Sequence, residues 1–122
     1  MTAYTEGQLP LEALQWEAHP LMSRQNVTIV SGAGVVEAGT VLGKITASGK
    51  YEPYDDGNSG GSNAAVAVSL YKVDATSADV SVTAIVRLAG IKKDALQWKS
   101  GNDSTSKTAA YTNLATLNII AI

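Results

Sequence analysis

Two glycine-rich stretches, an aspartate pair and a lone histidine have the residue types and spacing that could do chemistry. Gly32-Ala-Gly34-Val-Val-Glu37 opens like a dinucleotide-binding turn. It places Glu37 where the third glycine must stand, however, and a carboxylate there repels a pyrophosphate. Gly39-Thr-Val-Leu-Gly43-Lys44-Ile45 resembles a phosphate loop, but it is one spacer short and puts Ile45 where a magnesium-binding hydroxyl belongs. Both stretches read more simply as β-turn glycines. Asp55-Asp56-Gly57-Asn58 lacks the alternating ligands and the distal glutamate of a calcium loop, and adjacent aspartates on a loop are not a held acid–base pair. His19 is the only histidine, and no second ligand or triad partner accompanies it. Asn26-Val27-Thr28 matches a glycosylation sequon, but the N-terminus shows no secretory signal. Trp98, at a strand end, reads as a core residue.

The elements that would have to position such residues are β-strands. Val27 and Ile29 alternate within 25–31, a short strand follows over 41–46, and another over Tyr51–Tyr54 is made short or an edge by Pro53. The nine residues Asp55–Asn63 hold no apolar side chain and are expected to stay out of the core. Val66, Val68 and Leu70 are expected on one face of the next strand. Val80, Val82, Ala84, Val86 and Leu88 are expected on one face of the strand after it. Gly90 should break the chain before 91–98, where Leu96 and Trp98 point inward. A helix is expected with Ser104 or Ser106 as cap and Ala110, Leu114 and Leu117 as its apolar stripe. The tail 118–122 reads as a last strand tied into a sheet or an interface. The fold expected is mostly β with a short helix (α+β), a small β domain over 25–122 preceded by an N-terminal arm over 1–24.

That arm is compositionally apart. It carries Pro10, Pro20, Trp16 and His19. Leu11, Leu14 and Ala18 behind Pro10 permit a short helix. The preferred reading is an extended arm that prolines isolate from any regular ladder and that orders on a partner. Trp16, beside Leu9, Leu11 and Leu14, then reads as a partner anchor, against the alternative that the arm packs back on its own domain.

Composition narrows the function further. A chain of 122 residues fits one domain and buries about two-thirds of its unfolded surface. Nine basic against eleven acidic side chains give a net charge of −2, which is no electrostatic footprint for nucleic acid. With no cysteine, thiol catalysis, zinc ribbons and disulfide scaffolds fall away. No apolar run approaches a membrane span, and no membrane or cofactor is expected. Charged residues make up only 16%, and eleven Ser and eleven Thr supply the remaining polarity. Another protein can cover such a surface at little desolvation cost.

The order of these pieces resembles the head decoration proteins of tailed bacteriophages, the family of the lambda decoration, or capsid-stabilising, protein. The residues that carry it are Thr5-Glu6-Gly7, Ser23–Ile29, Gly32-Ala-Gly34, and Ala38-Gly-Thr-Val-Leu-Gly-Lys-Ile-Thr-Ala-Ser-Gly-Lys-Tyr51. The Asp55–Asn63 loop, Ala65–Val68, Ala84–Arg87, Leu96-Gln-Trp98, Lys107-Thr-Ala109 and Ile119–Ile122 add to it. The resemblance implies a late-made, non-enzymatic virion protein, produced in the host cytoplasm. It implies a homotrimer seated on the outer face of the expanded head, over local threefold positions of the major capsid protein. It also implies that the arm orders on the capsid. The arm carries over only as a segment, roughly Thr2–Pro20, and within this sequence Thr2, Tyr4, Thr5, Leu9, Leu11, Leu14 and Trp16 are the candidate capsid contacts. Extended, about twenty residues reach up to ~65 Å, enough to add a strand to an exposed edge.

Two other classes stand beside this one. A biotinyl- or lipoyl-type carrier also has glycine-punctuated strands, but Lys44 and Lys50 lack the neighbours of a modifiable hairpin lysine. A small enzyme would need a fixed constellation that the residue inventory does not offer.

Overall fold

The computed structural model describes residues 13–122. Five strands close into a barrel in the order β2-β5-β4-β6-β8: β2 Arg24–Ile29, β4 Val41–Lys44, β5 Tyr51–Pro53, β6 Ala65–Ser69 and β8 Val80–Ile85. The longest seam joins β2 to β8, antiparallel from Arg24↔Ile85 through Ile29↔Val80. β5 is short, as Pro53 requires, but it is no edge. It pairs with β4 on one side and meets β2 at Ile29↔Tyr51 on the other. A separate hairpin-like pair joins β3 Gly34–Val36 to β7 Val73–Ala75.

Strand alternation sends side chains into two cores. Val27, Ile29, Leu42, Tyr51, Ala67, Val82 and Ala84 form one cluster with Val36 and Ala75 of the β3–β7 pair. Val41, Val68, Leu70 and Ile85 point the other way, into a second cluster with Leu96, Ala110, Leu114 and Ile119. The wall is buried on both faces at β4 and β6, which read as nearly continuous apolar runs, whereas β2 and β8 keep an alternating pattern.

The expected faces fail where the backbone departs from regular strand. Leu42 pairs with Ala67 but Gly43 pairs with Ala65, so Val66 is an extra residue in a bulge. The bulge puts Val66 against the first cluster, while Val68 and Leu70 enter the second. β8 ends at Ile85, and Leu88 takes φ 53°, which turns it off the face shared by Val82 and Ala84. The polar loop also contributes to the interior. Ser62 is fully buried, and its hydroxyl donates to Glu52. A Cβ on Gly43 would stand 2.5 Å from the Ser62 backbone, so only glycine permits that loop to lie on β4.

The helix α2 spans Ser104–Ala115. Its cap is Asp103 rather than either serine: the Asp103 carboxylate accepts from the Ser106 N–H at 2.9 Å. Ser106, Ala110 and Leu114 form its buried face. Leu117, expected in the stripe, lies past the helix end and is half-buried. Asn118, at φ 61°, then turns the chain into β10 Ile119–Ala121. Tyr54 fastens the helix to the barrel by donating its hydroxyl to the Ser106 carbonyl at 2.9 Å. Trp98 packs edge-on against Tyr54 and Tyr111, with ring centroids at 6.2 and 5.7 Å.

Candidate partner-binding surface

The third sheet is built from the two ends of the chain. β1 Leu14–Glu17 runs antiparallel to β9 Ala89–Ile91, and β10 runs parallel to β9 on its other side. Prolines therefore do not isolate the described part of the arm, residues 13–24. Pro10 and Pro20 flank a run long enough for four strand residues, and that run pairs with a segment more than seventy positions away. Nor do residues 13–18, the described part of the stretch behind Pro10, form a helix: the short helix α1, Pro20–Ser23, follows Pro20 instead. His19 caps it, with its carbonyl accepting from Met22 and Ser23 and its Nδ1 accepting from the Leu21 N–H at 3.1 Å.

Three contacts fix β1 and α1 to the domain. Arg24 donates to both carboxylate oxygens of Glu17, each at 2.9 Å. This two-pronged hydrogen bond raises the Arg24 pKa further, so the guanidinium stays charged. Ser23, fully buried, donates its hydroxyl to the Leu88 carbonyl at 3.0 Å. The Ala18 N–H donates to the same carbonyl at 3.0 Å.

Gly90 is the centre of this sheet, not a chain break. Trp16 stands opposite it on one side and Ile120 on the other. A Cβ at Gly90 would lie 3.2 Å from the Ile122 side-chain tip and 3.8 Å from Trp16 Cβ. The missing side chain lets those two residues close over the strand. On the inner face Leu14, Ala89, Ile91 and Ile119 join the second core cluster. On the outer face Trp16 is 60% exposed, Ile120 51% and Ile122 69%. Three large apolar side chains, from β1, from β10 and from the residue just after β10, thus form one surface strip across Gly90. Among the described residues no strand pairs with the outer side of β1, so that side presents a strand edge of the kind that can take another strand.

Of the sequence-derived contact residues, Leu14 and Trp16 fall on this sheet, and they part company. Leu14 packs half-buried against the core, while Trp16 faces solvent. Thr2, Tyr4, Thr5, Leu9 and Leu11 lie outside the described residues. Sequence reasoning missed Ile120 and Ile122 as surface residues. The signal was present in period-2 alternation, which puts Ile120 opposite in direction to the buried Ile119.

The strip offers apolar area and strand edge, not reactive groups. Among the described residues no cluster of His, Cys, Asp and Glu could hold a metal ion. No helix of the described residues is long and apolar enough to cross a membrane. Lys50, weighed as a carrier lysine, is paired to Asp79 at 2.6 Å. The sequence matches the model of the bacteriophage lambda head decoration protein family over residues 3–119. The chain belongs to that family. A comparison with individual curated proteins gives no match. Membership makes this a structural protein of the phage virion whose role is to bind and decorate the capsid. The surface strip and the open edge belong to a decoration protein, for which protein contact is the function.

Proposed function

We propose that the chain is a homotrimeric, non-enzymatic cement. It binds the outer surface of the expanded phage head over local threefold positions of the major capsid protein. The observation that carries the docking mode is the position of β1. β1 is an edge strand with no partner on its outer side among the described residues, and its Trp16 lies exposed beside Ile120 and Ile122. In this reading the segment before β1, with Thr2, Tyr4, Thr5, Leu9 and Leu11, extends the contact along the shell, while Trp16 anchors it at the domain. Leu14 holds the root of the arm in place from the core side.

Physical chemistry supports weak single contacts multiplied by symmetry. An arm that orders on binding gives up several kcal/mol, so a single one binds weakly. Three arms on one trimer raise the effective concentration, and avidity multiplies affinity by ~10²–10⁴. A protein that binds only the expanded shell stabilises that state by mass action.

Co-sedimentation with expanded, undecorated heads of the cognate phage tests this. The truncation should stop at residue 12, because a deeper cut removes β1 from its sheet. Full-length chain is expected in the pellet, with the chain lacking 1–12 much reduced. No binding by full-length chain overturns the function, and equal binding by both overturns the arm's part in it. A monomer mass by light scattering at micromolar concentration contradicts the trimer.

A further inference from the structure

The basic side chains divide into those already matched and those left over. Arg24, Lys50, Lys72 and Lys99 each have a carboxylate within 3.6 Å. Lys92, Lys93 and Lys107 have none among the described residues, and they gather beside the terminal sheet. Lys92 directly follows β9, and its N–H donates to the Ala13 carbonyl at 2.8 Å, at the root of β1. The Lys93 N–H donates to the Ile122 carbonyl at 3.1 Å, which ties Lys93 to the apolar strip.

Two aromatic rings hold these cations in place. Lys93 Nζ lies 4.9 Å from the Tyr111 ring centroid, and Lys107 Nζ lies 5.6 Å from that of Trp98. The rings themselves pack edge-on at 5.7 Å, so the two lysines flank one aromatic pair. A ring attracts an ammonium without cancelling its charge, and the N–H donors stay available. Lysines held in this way have given up rotamer freedom before a partner arrives, which lowers the cost of an ion pair. With a lysine over each ring, the rings serve cations rather than stacked bases. Two carboxylates belong to the same segments. Asp103 is committed to the α2 cap by the Ser106 N–H and hydroxyl. Asp94, in the short helical turn Lys93–Ala95, offsets one of the three charges. The face stays positive in a chain whose net charge is −2.

We propose that this lysine face docks on acidic side chains of the shell, at the rim of the contact made by the apolar strip. The inference rests on the capsid reading above. What carries it is the hydrogen-bonded continuity of Lys92 and Lys93 with β1 and the strip, together with the carboxylates that the described residues do not supply there. Carboxylates on the shell complete the three lysines, whereas a neutral or basic surface would leave them unmatched. Ion pairs at a solvated rim add little affinity each and act mainly on the rate of encounter.

Stopped-flow light scattering of full-length chain with expanded, undecorated heads, at about 50 and about 300 mM salt, tests this. The native chain should associate about tenfold faster at the lower salt, although its own net charge is negative. Lys92→Gln combined with Lys93→Gln should slow association at low salt about fivefold and flatten the salt dependence, with dissociation changed less. Both side chains are exposed, so this variant keeps the fold. Lys44→Gln combined with Lys50→Gln removes the same charge from the β4–β5 turn and should associate nearly as the native chain does. A native rate indifferent to salt overturns the proposal. So does a Lys92/Lys93 variant as fast as the native chain or faster, or a Lys44/Lys50 variant slowed as much. A lowered oligomer mass in the Lys92/Lys93 variant would place the face between copies and also overturn it. Each of these outcomes leaves the capsid reading standing, whereas no binding by the native chain at either salt overturns both.

Discussion

The barrel and the terminal sheet use apolar residues in opposite ways. In the barrel every strand has two neighbours, so no edge is left, and Ile29, Leu42, Ala67 and Ala84 are entirely buried. The three-stranded sheet also buries an inner face, yet it leaves Trp16, Ile120 and Ile122 in solvent and, among the described residues, β1 without a strand on its outer side. Both regions could have been closed by the same physics. Only the barrel is closed, so the barrel holds the fold, while the terminal sheet is the face that the proposed function assigns to the interaction.

The largest effect should separate the two roles cleanly. Leu42→Ala removes a fully buried side chain from the barrel cluster and should destabilise the protein by about 3 kcal/mol in urea unfolding. Below its unfolding midpoint it should still bind heads. A loss of binding in folded Leu42→Ala would break the division of labour. Next comes Trp16→Ala, which should change unfolding free energy by no more than ~0.5 kcal/mol, since the ring is largely solvated. Its head affinity should fall ~30-fold, the equivalent of a ~2 kcal/mol anchor. A large stability loss with unchanged affinity would move Trp16 to the structural side of the comparison.

A smaller effect sharpens the comparison through pH. Asp103 is held below its ordinary pKa of 3.8 by the Ser106 N–H and hydroxyl that it caps. Asp79 is also lowered, by its Lys50 pairing and by the Ser31 N–H. A carboxylate whose folded pKa is depressed stabilises the fold fully above the unfolded value and loses that contribution as pH falls through the folded value. Thermal stability should therefore be level above about pH 5 and decline below about pH 4. Asp103→Asn, which keeps an acceptor at the cap but does not titrate, should show the shallower decline in melts across that range. An identical slope in both proteins would remove Asp103 from the acid response.

What could be read from the sequence follows the range of the interaction. The alternation of β2, the loops, the approximate helix and the last strand leave local patterns, and each is present. The failures come from residues that act through distant partners or through one irregular dihedral angle. Val66 looks like regular strand, and only its pairing with β4 shows the bulge. Gly90 looks like a breaker because its role, to make room for Ile122 and Trp16, depends on two strands far from it in sequence. Ser62 sits in a fully polar run, and its burial depends on Gly43 and Glu52 across the barrel wall. The candidate binding surface divides in the same way. Trp16 stood out as an aromatic in a proline-flanked segment, whereas its neighbours Ile120 and Ile122 reach it only through β9.

Hydrogen–deuterium exchange on the full chain, free and bound to expanded heads, tests the central claim most directly. The account predicts new protection at the amides of Leu14–Glu17 and around Ile120–Ile122, with the barrel amides unchanged. Protection confined to the barrel strands or to α2, with β1 exchanging as in the free protein, would contradict it.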